Sequence, residues 1–337
     1  MVAPPELTRG CGTSTLPRRL AGLQKKHTTG ILAALGSALF LGFTPVFGKL
    51  AISQGFSPLA VVALRTSLAA GALLVIVSLF YRPFLYIYPI GLIGCVLAGV
   101  INGFGSLFYY LALGRLNASV GQLLYSLYPF FVALWLILDH QPPSRLTIFR
   151  IGLASIAVLL LTNVPGKSAD PIGVLMMVVA AILYAMHLPI NQRVLYEVPA
   201  PTVTLYTLLS MSMVVVPAYF LFDKRWPVQN APWMPVLGLT LVTFFSRLAL
   251  FFGVKKIGGM QTALLGLGEL LIAILFSHLW LNESLTALQW LGAIGLGLSL
   301  ILVTFERNTP SHHSNKTGWL SWIHAPDLPK EIFGPYE

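Results

Sequence analysis

Residues 57–80 read SPLAVVALRTSLAAGALLVIVSLF, an apolar stretch that carries one charged residue, Arg65. The hydrocarbon core of a bilayer is about 30 Å thick, and roughly 20 helical residues cross it. Stretches of this kind recur along the whole chain, in which 56% of the residues are hydrophobic and 9% are charged. We therefore predict an all-α integral membrane protein with ten transmembrane helices. The predicted spans cover residues 29–52, 57–80, 87–111, 118–138, 145–163, 171–190, 202–222, 233–254, 260–281 and 286–305.

Two polar segments flank the predicted spans: an N-terminal tail, residues 1–28, and a C-terminal tail, residues 306–337. The N-terminal tail has cationic residues but no continuous apolar segment, which argues against a signal peptide. We expect both tails to be flexible and solvated. With both termini in the cytoplasm, most of the 21 Lys and Arg residues fall on the cytoplasmic side, as the positive-inside rule requires. We therefore predict a multi-pass topology with both termini cytoplasmic.

The composition, together with the motifs that the sequence lacks, excludes several classes of function. The net charge of +10 is spread over tails and short loops, so it does not indicate binding of nucleic acid. The two cysteines, Cys11 and Cys95, cannot form a disulfide framework or a cysteine-rich metal site. The sequence contains no P-loop, no His-Glu-x-x-His zinc motif and no Gly-x-Ser-x-Gly elbow. We therefore predict that the protein is not an enzyme and uses no cofactor, catalytic residue or metal site.

A short motif in the first half of the chain recurs in the second half. Tyr110–Ser119, YLALGRLNAS, is matched by Phe251–Met260, FFGVKKIGGM, at a displacement of 141 residues. The displacement predicts two five-helix repeats, residues 29–163 and 171–305. Because each repeat has an odd number of spans, the second crosses the membrane in the opposite sense. Such inverted repeats bind substrate near the bilayer midplane and open alternately to each side. The alternative is that two apolar segments align by chance.

Four ionisable residues fall inside predicted spans, away from their ends: Arg65, Glu269, Arg247 and His187. A charge at the centre of a membrane helix costs roughly 2.5–3.5 kcal/mol on insertion scales, so each needs a partner or a water-filled cavity. At a rise of 1.5 Å per residue, Arg65 and Glu269 reach similar depths, about 12 and 14 Å from opposite faces. We interpret them as a substrate-recognition pair, in which Arg65 binds a carboxylate or phosphate and Glu269 binds an amine or a coupling proton. The alternative is a buried salt bridge between Glu269 and one arginine that fixes helix packing.

Polar stripes at helical spacing supply further candidates, because polar groups turn away from lipid toward a cavity or a neighbouring helix. From them we take Asn102, Tyr109, Tyr125 and His187, together with Arg247 and Lys49, as candidate substrate-binding or coupling residues. The alternatives are helix-packing contacts for the stripes and an interfacial anchor for Lys49. The stripes are Asn102, Ser106 and Tyr109; Gln122, Tyr125 and Pro129; Tyr184, His187 and Asn191; Tyr206, Ser210 and Met213; and Thr240, Thr243 and Arg247.

Several short motifs together resemble the EamA-type exporters of the drug/metabolite transporter (DMT) superfamily. They are Gly42-Phe43-Thr44-Pro45 followed by Lys49, Pro58 followed by Arg65, Tyr110-x-Ala112-Leu113-x-Arg115, Tyr128-Pro129, Glu269, and the junction Leu281-Asn282-Glu283-Ser284-Leu285. The resemblance covers residues 29–305. It implies secondary transport of a small metabolite, usually export, by alternating access in the cytoplasmic membrane. Two positions depart from the family pattern: Leu270 replaces a proline, and Pro142 stands where a glutamate is expected.

These observations lead to one primary hypothesis and two alternatives. The primary hypothesis is a secondary active transporter that exports a small polar metabolite, such as an amino acid, with the proton as the candidate coupling ion. The first alternative is an exporter of multiple drugs or cationic compounds, which the aromatic content of 12% favours. The second is a membrane scaffold or enzyme without transport. The expected partners are a small-molecule substrate and the lipid bilayer, no nucleic acid is expected, and a homodimer is left open.

Overall fold

The computed structural model describes residues 15–116, 118–161, 170–223, 232–272, 287–305 and 318–323, and these residues contain no β-strand. Their helices begin with α1, which starts at Thr15 inside the predicted N-terminal tail. In chain order the helices are α1 (Thr15–Leu41), α2 (Thr44–Ser53), α3 (Pro58–Phe80), α4 (Pro89–Arg115), α5 (Ala118–Tyr125), α6 (Tyr128–Leu138), α7 (Arg145–Leu161), α8 (Pro171–Leu195), α9 (Ala200–Phe222), α10 (Met234–Ile257), α11 (Gly259–Gly266) and α12 (Ala287–Ile301). Short 3-10 helices follow α3 at Arg82–Leu85 and α12 at Leu302–Phe305.

Six helical segments in the described part of the chain are long and apolar enough to cross a bilayer. They are His27–Ser53, Pro58–Phe80, Pro89–Arg115, Pro171–Leu195, Ala200–Phe222 and Met234–Ile257, and shorter apolar helices occupy Tyr128–Leu138, Gly259–Ile272 and Trp290–Ile301. Large apolar side chains face outward, for example Phe80 at 73% and Phe222 at 80% exposure, as contact with lipid requires. The prediction of an all-α integral membrane protein is confirmed. The ten predicted spans, however, are not ten unbroken helices.

Three predicted spans are interrupted. In span 1, residues 42–43 separate α1 from α2, and in span 4, residues 126–127 separate α5 from α6. Pro45 and Pro129 stand in the first turn of the helix that follows each interruption, where the missing proline N–H removes no helical hydrogen bond. Span 9 is interrupted after α11, at Leu267.

The interruptions in spans 4 and 9 fall at equivalent positions when the second half of the chain is aligned with the first at the displacement of 141 residues. Ser126 corresponds to Leu267, and Tyr128, which begins α6, corresponds to Glu269. No proline follows the second interruption, where the N–H of Leu270 donates to the carbonyl of Leu267 at 3.1 Å. The second interruption places Glu269 just beyond a break in its helix.

Small residues bring α4 close to its neighbours. α4 packs along α8 and α9, α1 packs along α10, and α7 packs along α12. At Gly99, a Cβ atom would lie 2.6 Å from the carbonyl oxygen of Thr207, and at Gly103 it would lie 2.9 Å from the Cβ of Val214. These glycines therefore allow the α4 and α9 backbones to approach more closely than alanines would.

A buried ion pair joins the ends of α6 and α8. Arg193 donates from Nη2 to Oδ2 of Asp139 at 2.7 Å, and the two side chains are 3% and 1% exposed. The backbone N–H of Leu320 donates to the other oxygen of Asp139, Oδ1, at 3.1 Å. Leu320 is fully buried and Ile323 is 3% exposed. The expectation of a solvated C-terminal tail is therefore wrong for residues 318–323, and the rest of that tail lies outside the described residues.

Candidate functional site

A small cavity of about 40 Å³ lies inside the bundle, next to the interruptions of spans 1, 4 and 9. Five of the predicted site residues line it: Arg65, Tyr109, Tyr125, Arg247 and Glu269. They come from α3, α4, α5, α10 and the segment after α11. The structure therefore brings together charged residues whose sequence separation exceeds 200 positions, and it places Arg247 beside Arg65 and Glu269.

Glu269 is 4% exposed, and its carboxylate accepts a hydrogen bond from a side-chain amide. Gln122, on α5, donates from Nε2 to Oε1 of Glu269 at 2.7 Å. The hydroxyl of Tyr109 donates to Oε1 of Gln122 at 3.4 Å, a long and weak hydrogen bond. Gln122 was not among the predicted site residues, although its polar stripe on span 4 pointed to the correct helix face.

Arg65 is 6% exposed and has hydroxyl partners. Its Nη1 donates to Oγ1 of Thr243 at 3.0 Å, and its Nη2 donates to Oγ of Ser106 at 3.5 Å. The guanidinium carbon lies 4.8 Å from the centre of the Tyr110 ring, within cation–π distance. Its Nε is buried and has no hydrogen-bond partner.

Arg247, also 6% exposed, binds two further predicted residues, Asn102 and His187. With the amide of Asn102 assigned so that both groups are satisfied, its oxygen accepts from Nη1 at 3.1 Å and from Nη2 at 3.2 Å. Nη1 also lies 3.5 Å from Nε2 of His187. Nδ1 of the fully buried His187 bonds to the carbonyl of Tyr184, so Nδ1 carries the proton and Nε2 accepts. Asn102 and His187 thus contact the site through Arg247.

The alternative of a buried salt bridge between Glu269 and an arginine does not describe this structure. Within the described part of the chain, Glu269 forms no ion pair with Arg65 or Arg247, because its carboxylate faces Gln122. The same part of the chain has no cluster of three or more His, Cys, Asp or Glu residues that would hold a metal ion.

Four tyrosine rings form one wall of the cavity: Tyr109, Tyr125, Tyr128 and Tyr184. Ring centres are 4.9 Å apart for Tyr109 and Tyr125, and 5.3 Å apart for Tyr125 and Tyr184. Tyr128 lies 5.0 Å from Tyr184 and donates its hydroxyl hydrogen to the carbonyl of Ala263 at 2.8 Å. Tyr128 and Tyr184 were not predicted as site residues, although Tyr128 belongs to the Tyr128-Pro129 motif and Tyr184 to the polar stripe of His187.

Lys49, the remaining candidate, does not line the cavity. Its Nζ donates to the carbonyls of Leu113 at 2.9 Å and Leu116 at 3.1 Å, at the C-terminal end of α4. A cation at this end of a helix satisfies carbonyls that have no helical partner. Lys49 therefore joins α2 to α4.

The polar stripe on span 7 does not line the cavity either. Tyr206 donates its hydroxyl hydrogen to the carbonyl of Leu85 at 2.6 Å, and Met213 is 76% exposed. Glu283 and the junction around it lie outside the described residues.

A larger apolar groove, of about 1470 Å³, runs between α3, α4 and α9. Its walls include Phe104, Leu107 and Leu221, and its two charged residues, Arg115 and Asp223, are not buried. Buried ionisable residues inside membrane segments mark functional sites, and the groove has none among its described residues, so we take the small charged cavity as the candidate site.

Apolar helices around a buried, charged cavity define a polytopic membrane protein. The profile of the EamA-like transporter family matches residues 28–163 and, a second time, residues 171–305. The chain belongs to the EamA-like transporter family, and the resemblance drawn from its motifs is confirmed. Membership assigns the protein to a family of membrane transporters.

Known proteins that are similar to this chain include a curated relative and a solved structure. An uncharacterised transporter of Synechocystis sp. is 24% identical over 220 residues, which cover 61% of this chain and 64% of that protein. The chain thus matches a little under two thirds of the length of this curated relative. A protein solved by crystallography has a TM-score of 0.66 at 16% identity, over 83% of this chain and 97% of its own. At that identity the likeness shows the fold alone.

Proposed function

We propose that this protein is a secondary active transporter of the cell membrane that exports a small polar metabolite by alternating access, with both termini cytoplasmic. The observation that supports this most directly is the buried cavity in which Glu269, Arg65 and Arg247 meet. Ionisable residues inside membrane segments are costly, and they mark substrate pathways and proton relays. Arg65 belongs to the first predicted repeat, and Arg247 and Glu269 belong to the second. Inverted repeats bind substrate where the two halves meet.

The size of the cavity indicates a closed conformation. Pockets for small molecules have volumes of about 300–1,000 Å³, whereas this one has about 40 Å³. Substrate can therefore enter only after the surrounding helices move apart. The interruptions at residues 126–127 and at Leu267 provide places for such movement, because interrupted helices bend where regular hydrogen bonds are missing.

In this mechanism Glu269 carries the coupling proton. Its Oε1 accepts from Gln122 whether the carboxyl group is ionised or protonated on the other oxygen, so the amide holds the group in place in both states. Glu269 takes up a proton when the cavity opens to one side and releases it when the cavity opens to the other.

Flux measurements in proteoliposomes test both the transport and the coupling. Labelled amino acids and related polar metabolites are offered with and without an imposed pH gradient, to the native protein and to Glu269→Gln. We expect the variant to lose accumulation driven by the pH gradient and to retain exchange of labelled for unlabelled substrate. Glu197→Gln, which changes an exposed glutamate just after α8, is the matched control and should behave as the native protein does.

Two results would count against the proposal. Native pH dependence in Glu269→Gln would remove Glu269 from proton coupling. Absence of saturable flux for every compound, with folded native protein in the vesicles, would remove the transport function itself. The direction of transport is tested by comparing metabolite levels in cells with and without the protein, since loss of an exporter raises its substrate inside the cell. The homodimer stays a prediction that crosslinking in native membranes tests.

A second candidate function is export of cationic compounds. The observation in its favour is the wall of four tyrosine rings, because aromatic faces attract cations. Expression of the protein should then protect cells from cationic dyes, and unchanged sensitivity would argue against this candidate.

A further inference from the structure

The charges that line the cavity do not balance. Two guanidinium groups, those of Arg65 and Arg247, face one carboxyl group, that of Glu269. Because arginine stays protonated in proteins, both positive charges persist at any working pH. The lining therefore carries one net positive charge when Glu269 is ionised and two when it is protonated.

The hydrogen-bond partners found for the two arginines are neutral. Arg65 donates to the hydroxyls of Thr243 and Ser106. Arg247 donates to the amide oxygen of Asn102 and lies beside His187, whose Nε2 accepts. Buried charges in proteins are normally paired, because a buried charge without a counter-charge has lost its hydration without compensation. An anion is the group that would complete this site.

Arg65 is better placed than Arg247 to bind that anion. The Nε–H of Arg65 is buried and has no hydrogen-bond partner, and its contact with Ser106 is at 3.5 Å, the limit for a hydrogen bond. A guanidinium group binds a carboxylate through two parallel N–H donors, and Nε with Nη2 forms such a pair. Both Nη atoms of Arg247 are already held by Asn102, so Arg247 acts through its charge.

We infer that the substrate is a small organic monocarboxylate with an apolar or aromatic body, and that Arg65 binds its carboxylate. This rests on the proposed function and narrows its substrate to one chemical class. The rings of Tyr109, Tyr125, Tyr128 and Tyr184 supply the surface for the apolar body. An ionised Glu269 repels a second carboxylate, and two guanidinium groups repel a cation. The inference therefore disfavours dicarboxylates and cationic drugs as substrates.

A matched series of compounds tests the charge requirement on the native protein. The aromatic set is 3-phenylpropionate, 3-phenylpropionamide, 2-phenylethylamine and phenylalanine, and the aliphatic set is 4-methylpentanoate with its amide and 3-methylbutylamine. Binding is measured by titration of the detergent-solubilised full chain. Since hydrogen bonds to charged groups are the stronger ones, we expect a carboxylate to bind about ten- to a hundredfold more tightly than its amide, with no binding of the amines. Binding of phenylalanine would show that the class includes amino acids.

Variants of Arg65 then test whether this residue is responsible for the preference for a carboxylate. Arg65→Gln should weaken carboxylate binding about ten- to a hundredfold and leave amide binding unchanged, while Arg65→Lys should restore part of the difference. Arg82→Gln, which changes an exposed arginine after α3, is the control and should bind as the native protein does. If Arg65→Gln does not fold, the compound series on the native protein still tests the charge requirement.

The outcomes separate this inference from the proposed function. Equal binding of carboxylates and amides, preferential binding of amines, or no binding of any carboxylate would overturn the inference. Carboxylates that bind folded protein without saturable flux in proteoliposomes would support it while contradicting the transport function. Saturable flux of neutral or cationic compounds alone would support transport and overturn the inference.

Discussion

Replacing Asp139 by asparagine keeps the size of the side chain and removes its charge, so it breaks the ion pair with Arg193. Nε and Nη2 of Arg193 both donate to Oδ2 of Asp139, at 3.1 and 2.7 Å. The two side chains are 3% and 1% exposed, which leaves little water to replace the carboxylate. In Asp139→Asn the guanidinium group remains buried without a counter-charge. Removal of one partner from a buried pair costs about 3–5 kcal/mol.

A double-mutant cycle checks this magnitude. Asp139→Asn and Arg193→Met should each lower the free energy of unfolding by about 3–5 kcal/mol. The double variant should lose much less than the sum, because neither charge is then left without its partner. The assay is reversible chemical unfolding of the protein in one detergent. Losses below about 1 kcal/mol in the single variants would place the pair among ordinary exposed pairs and refute the reasoning. Additive losses in the double variant would refute it equally.

The pair of Arg115 and Asp170 provides the control for this cycle. It has a similar distance, 3.2 Å, but its side chains are 49% and 33% exposed. The hydrogen bond from Arg115 holds the pKa of Asp170 below its ordinary value. A lowered carboxyl pKa stabilises the fold above the unfolded pKa, and that contribution is lost as the pH falls through the folded pKa. Because solvent screens this pair, Arg115→Gln should leave the stability nearly unchanged at neutral pH.

Three further substitutions follow from the packing. Gly99→Ala should destabilise the protein by about 1–3 kcal/mol, because its Cβ meets the carbonyl of Thr207; an unchanged melting temperature would contradict the close approach of α4 and α9. Gly71→Ala should raise the stability by about 0.5–1 kcal/mol, since nothing lies within 4 Å of the added atom in α3; a loss would show that the site is crowded. Lys49→Met should lower the stability by about 1.5–3 kcal/mol, because two hydrogen bonds from a charged group to α4 are lost. Substrate affinity should remain native in Lys49→Met, and a selective loss of affinity in the titration would assign this residue to the site.

The helices and the burial of the charges could be predicted from the sequence, because apolar run length marks the helices and a charge inside a membrane span avoids lipid. Arg65, Arg247 and Glu269 accordingly line one cavity. Their partners could not be predicted in the same way. The carboxylate of Glu269 accepts a hydrogen bond from Gln122, and Glu269 follows an interruption at Leu267 that is not marked by a proline.

Contacts between distant segments were the least predictable part. The spacing of Tyr206 and Met213 identified a helix face, but not whether a cavity or lipid lies against it. The docking of residues 318–323 depends on a surface formed by the ends of α6 and α8. A short apolar run inside a polar tail, Trp319 to Ile323, gives no sign of that surface.

The amide of Leu320 and the guanidinium of Arg193 share one carboxylate, that of Asp139. If a rearrangement moves the end of α6 that carries Asp139 away from the end of α8, residues 318–323 must therefore move as well. Trp322, in the same segment, is 41% exposed and is open to replacement by cysteine. The fluorescence of a dye attached to that cysteine would then report the separation of the ends of α6 and α8 in real time.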